Sequence, residues 1–91
     1  MKELFSVILN LKNKKEAADF FRDLMTISEL KEFANRWQIV KLLVTDKSYS
    51  YIAAKLNVST ATVTRVAFWL NDGTGGYKAM ADRLIKIKFK D

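Results

Sequence analysis

Apolar positions along the chain fall in helical order. Leu4, Val7, Ile8 and Leu11 follow the i, i+3, i+4, i+7 spacing of one helix face, and Phe5 and Leu9 widen the stripe. A short segment this apolar needs cover on more than one side, which a small monomer supplies poorly. Asn13, with Glu16 three positions on, has the pattern of a helix N-cap and its reciprocal partner. The helix it opens runs to about Met25, with Ala17, Phe20, Phe21, Leu24 and Met25 on its apolar face. Thr26 to Glu29 has capping-box spacing and opens a third helix, with Glu29 and Glu32 near its positive end. The expected buried stripe there is Leu30, Phe33, Ala34, Trp37, Val40 and Val44, with Ile39, Leu42 and Leu43 beside it.

A polar connection, Thr45-Asp46-Lys47, precedes two short helical segments at about 49–56 and 60–71. Asn71-Asp72-Gly73-Thr74-Gly75-Gly76 is the one cluster of breakers. A last helix, about Tyr77 to Lys86, places Met80, Leu84 and Ile87 on one side, and Lys86 to Lys90 reads as a frayed end. The pattern predicts an all-α fold, with residues 1–91 as a single domain.

Composition narrows the chemistry. The chain has 91 residues and contains no cysteine, histidine or proline. Disulfide scaffolds, Cys/His zinc sites and histidine-dependent nucleophile triads are therefore excluded. No acidic pair stands out as an acid/base couple, so an enzyme is not expected and no cofactor is implied. Gly73 to Gly76 lacks the Lys-Ser/Thr pair of a phosphate loop. No run is long enough to span a bilayer, and Phe5 to Leu11 is too short and too interrupted for a secretory signal. The expected location is cytoplasmic.

The net charge is +6, and its distribution says more than its size. Residues 48–71 carry Lys55 and Arg65 and no acid. The same stretch has the layout of a helix-turn-helix, about 49–71. Ile52, Leu56, Val58, Val63 and Val66 fall where two short helices bury side chains against each other, and Ala53 is small where they approach. Asn57 stands at the turn, where a left-handed residue is needed. Ser59 caps the second helix. The outward positions are then Thr60, Ala61, Thr62, Thr64 and Arg65, all short or polar, and such a helix enters a major groove. Ser50 and Lys55 on the first helix join Ser59 and these five as the candidate DNA-contacting set. Threonine is a poor helix former, so a merely solvated face has no reason to favour it. A packed helical hairpin serving protein interaction is the competing reading.

Ser59 to Val66, then Leu70-Asn71 and a glycine loop ending at Gly76-Tyr77, resemble the Trp-repressor-like family. Asp23-Leu24-Met25-Thr26, Glu29-Leu30 and Arg36-Trp37-Gln38-Ile39-Val40 carry the same resemblance, which covers about residues 15–80 and points to the small YerC/YecD-type branch. It implies a Trp-repressor-like helical bundle, an intertwined homodimer presenting two helix-turn-helix units to double-stranded DNA, and a transcriptional regulator, most simply a repressor. The apolar first helix suits burial across two subunits.

The resemblance also implies an effector pocket. In the tryptophan-binding member, a threonine before the long helix, an arginine within it and an arginine of the reading helix hold the co-repressor. Thr26, Arg36 and Arg65 occupy those positions here. The glycine that makes room for the indole is replaced by Val66, and a serine one turn later by Trp69. Both add bulk, so free tryptophan is expected not to bind. Either Trp69 itself partly fills the space and steadies the reading heads, or it is an ordinary core or interface aromatic. Phe68 likewise has two readings, buried at a dimer contact or exposed near DNA. Lys12, Lys14 and Lys15, and Lys86, Lys88 and Lys90, read as solvated charge or as phosphate contacts. A small-molecule sensor would need an open pocket near Thr26 and Arg36.

Overall fold

The computed structural model describes residues 1–85. Six helices and no strand are found among them: α1 Lys2–Leu9, α2 Lys14–Leu24, α3 Ile27–Val44, α4 Tyr49–Leu56, α5 Thr60–Asp72 and α6 Gly76–Leu84. The all-α expectation holds. Lys86, Ile87, Lys88 and Lys90 lie outside the described residues. The chain divides into two compact units, Met1–Phe33 and Ala34–Asp91.

Local hydrogen bonds explain the helix starts in the first unit. The Glu16 N–H donates to Asn13 Oδ1 at 2.8 Å, and Glu16 Oε1 accepts from the Lys12 N–H at 2.9 Å. Asn13 must be extended for this, at φ −157° and ψ 176°. The requirement ends α1 at Leu9, so Leu11 does not continue the first apolar stripe. The Asn10 and Leu11 N–H groups instead bond the carbonyls of Val7 and Ile8 three residues back, a tightened last turn. At Thr26 the box is reciprocal: Glu29 N–H donates to Thr26 Oγ1 at 3.1 Å and Thr26 N–H donates to Glu29 Oε1 at 2.9 Å. No residue of this unit is buried, and Phe5, Val7, Leu9, Leu24, Ile27 and Phe33 are all exposed.

In the second unit Ile39, Val40, Ile52, Val63, Val66 and Ala81 form the buried core. Trp37, Leu42, Leu43, Val44, Leu56, Val58, Trp69, Leu70 and Tyr77 pack around it. Two stripes differ from expectation. On α3 the buried residues are Ile39 and Val40, whereas Phe33 and Ala34 are exposed. Ile39 and Val40 join the cluster built with α4, α5 and α6, and that packing chooses the covered arc of the helix. On α6 the buried residue is Ala81, while Met80 and Leu84 are exposed. A small residue is what a closely approaching helix accommodates, and size alone would have chosen the other two.

Two left-handed residues end helices where glycine is usual. Asp46 has φ 63°, and its N–H bonds Leu43 O while Lys47 N–H bonds Leu42 O, the Schellman pattern that closes α3. Asn57 has φ 55° and ψ 50° after α4. Replacing Asn57 by alanine should destabilise the second unit by about 1–2 kcal/mol, and Asn57→Gly should not. Urea unfolding of the two variants checks this; equal losses would show that side-chain contacts, and not the backbone conformation, select the residue.

Candidate nucleic-acid interface

The helix-turn-helix is assembled by two serine caps and a shared apolar seam. Ser48 Oγ accepts from the Tyr51 N–H at 3.1 Å and starts α4. Ser59 Oγ accepts from the Thr62 N–H at 3.1 Å and starts α5. Between them Asn57 reverses the chain, and the Val58 N–H returns to Ala53 O at 3.0 Å. Ile52 from α4 and Val63 and Val66 from α5 are buried at 0–1% exposure, which fixes the angle between the helices. Leu56 and Val58 are half-buried beside them.

Of the eight candidate contact residues, Ser50, Lys55, Ser59, Thr60, Ala61, Thr64 and Arg65 are exposed. Thr62 departs from the expected outward set. It is half-buried, and its Oγ1 shares a 2.9 Å hydrogen bond with Ser59 Oγ. The reason is angular: Thr62 lies one turn before the buried Val66, on the inner side of α5. Thr64 is exposed, but its hydroxyl donates to Thr60 O at 2.9 Å. The outward face keeps Lys55 and Arg65 as its charges, and no acid lies between residues 48 and 71.

The Phe68 ring is exposed in this chain, at 59%. It follows Thr64 by four residues and Arg65 by three, so it shares their side of α5. That spacing is visible in the sequence; whether anything covers the ring is not.

Of the five proposed effector-pocket residues, two are brought together within the second unit. Arg36 and Trp69 meet: the guanidinium carbon sits 5.3 Å from the indole centroid, within cation–π range. They line a cavity of about 710 Å³ together with Trp37, Gly73, Thr74, Gly76, Tyr77 and Met80. Arg65 is exposed and Val66 belongs to the core, and neither lines this cavity. Thr26 lies in the first unit, where its hydroxyl serves the α3 cap. Gly73 is required behind Trp69, because a Cβ there would collide with the Trp69 carbonyl oxygen. Among the described residues no group of acids could hold a metal ion, and no helix is long and apolar enough to cross a membrane.

Comparison with known proteins matches residues 1–85 to the Trp repressor protein family. YerC of Bacillus subtilis (strain 168), described as uncharacterized, is 38% identical over 82 residues, spanning 90% of this chain and 79% of that protein. The crystal structure of a TrpR-like protein from Eubacterium eligens ATCC 27750 is similar with a TM-score of 0.86 and 42% identity, over 91% of this chain and 86% of that one. A solved structure from Staphylococcus aureus matches with a TM-score of 0.86 and 36% identity, over 92% and 84% of the two chains.

Proposed function

Since the chain belongs to the Trp repressor family, we propose that it is a sequence-specific DNA-binding transcriptional regulator, a repressor, working as a homodimer through the helix-turn-helix of α4 and α5. The observation that carries this reading is the first two turns of the outward face of α5, which carry no acid, with Thr60, Ala61, Thr64 and Arg65 exposed together behind a Ser59 cap. Phosphate contacts from Lys55, Arg65, the serines and the α5 N-terminus supply affinity, and the α5 face chooses the site. Residues 1–91 act as one functional domain, in the cytoplasm.

The homodimer rests on the first unit. Its apolar side chains have no buried position in the single chain, which a small protein cannot sustain alone. A second copy supplies the cover, and twin reading helices then address a near-palindromic operator with half-sites about one helical turn apart. Light scattering should return twice the 10.5 kDa chain mass; the single mass would remove the dimer. Free tryptophan does not act as co-repressor, because Trp69 and Arg36 already pair and Val66 is part of the core. Calorimetry showing tight tryptophan binding would overturn that statement.

The direct test is retardation of bulk genomic DNA at low salt and again at higher salt. Retardation that weakens with salt is expected; none at either salt would favour the protein-interaction module. Arg65→Ala should cost about 1–3 kcal/mol in affinity for a selected duplex if Arg65 reads a base. Fluorescence anisotropy measures it, and unchanged affinity would remove Arg65 from the contact set.

A further inference from the structure

The centre of the proposed reading face is occupied by an apolar ring that general DNA binding leaves without a role. At about 100° per residue, Phe68 lies about 20° around the helix axis from Ala61, 40° from Thr64 and 60° from Arg65. All four are exposed, while Val63, Val66 and Ala67 on the other side are buried. Two of the polar side chains one turn from the ring are engaged within the helix. Thr64 Oγ1 donates to Thr60 O, and Asn71 Nδ2 donates to Ala67 O, each at 2.9 Å. The face is therefore more apolar than its threonines suggest, with Arg65 as its one cation. Its next outward residue, Asp72, is an acid that ends α5 and sets the far limit of the surface.

We propose that Phe68 is a specificity-determining residue, its ring contacting the 5-methyl groups of thymines in the major groove. The inference rests on the DNA-binding function proposed above. Apolar side chains recognise thymine through that methyl group, which no other base presents in the major groove. The charge of the surroundings favours that occupant: from Ala61 to Phe68 the face bears Arg65 and no acid, with Asp72 one turn further on, and this part complements a polyanion. Phe68 lies about 10 Å along the helix from Ala61, so the two sample different base pairs of one half-site.

The test starts from the duplex most enriched from a random pool by the full chain. Each thymine is replaced in turn by deoxyuridine, which removes only the methyl group, and affinity is followed by anisotropy. The wild-type chain should lose about fourfold at one or two thymines per half-site, the effect of uncovering one methyl group. Phe68→Ala should bind the thymine duplex more weakly and show no loss at those same positions, and Phe68→Leu should fall between. Because the ring is exposed, neither variant should alter the circular dichroism or the urea midpoint. An Ala variant that keeps the wild-type thymine-to-uracil ratio would overturn the proposal while leaving DNA binding intact. A change in oligomeric state with that ratio preserved would also overturn it, assigning Phe68 to contact between copies. Failure to bind any duplex would sink the DNA-binding reading itself, and this inference with it.

Discussion

Truncating Ile52 to alanine should lower the unfolding free energy of the second unit by about 2–5 kcal/mol. Ile52 is fully buried and is the one residue of α4 that joins the core cluster. It belongs to one buried cluster with Val63 and Val66 of α5, Ile39 and Val40 of α3, and Ala81 of α6. No buried polar or charged side chain accompanies it among the described residues, so the cost is that of lost apolar contacts and of the cavity left behind. A small domain is stabilised by only about 5–15 kcal/mol in total, so one such change removes a large share. The helix-turn-helix should loosen before the first unit does, and DNA binding should fall with it. Urea unfolding gives the number. Ser50→Ala, on the exposed side of α4, should stay within about 0.5 kcal/mol of the wild type. Equal midpoints for the two variants would mean that α4 is not held through Ile52.

DNA affinity should fall about 10²-fold between 50 and 200 mM salt. In the proposed homodimer, Lys55 and Arg65 of each copy would place four cations against phosphates, and the logarithmic slope is about −0.9 per neutralised phosphate. Lys55→Ala should reduce the slope by about two across a dimer and weaken all sequences alike. Arg65→Ala should in addition relax the choice of sequence, which separates reading from general attraction. A slope near zero would contradict phosphate contact altogether, and a slope halved from the outset would point to one reading head at a time.

Capping residues are legible in the sequence because their partners are close neighbours. Asn13-Glu16, Thr26-Glu29 and Ser59 bond backbone groups three residues away, so the elements they start are written in adjoining positions. Ser48 caps α4 in the same way, and only the structure identified it. Asn57 marks its turn through its own left-handed backbone conformation. The α4–α5 pair is also recoverable, because Ile52, Val63 and Val66 are spaced as buried positions and most of the exposed set is what they leave. The cluster of glycines at residues 73–76 separates α5 from α6, although nothing in the sequence reveals how closely Gly73 lies against the Trp69 carbonyl.

The sequence by itself determined the helical elements, the caps that start α2, α3 and α5, the turn, and the acid-free stretch that suits a polyanion, because each depends on bonds and charges within a few residues. Tertiary structure alone decided which of several equally spaced side chains is covered: Ile39 and not Phe33 on α3, Ala81 and not Met80 on α6, and on α5 Thr62 half-buried while Phe68 is exposed. It also brought Arg36 onto Trp69 across thirty-three positions of chain. Burial and such pairings depend on which other helix arrives and at what angle, and that angle is set by packing among distant residues rather than by periodicity along one helix.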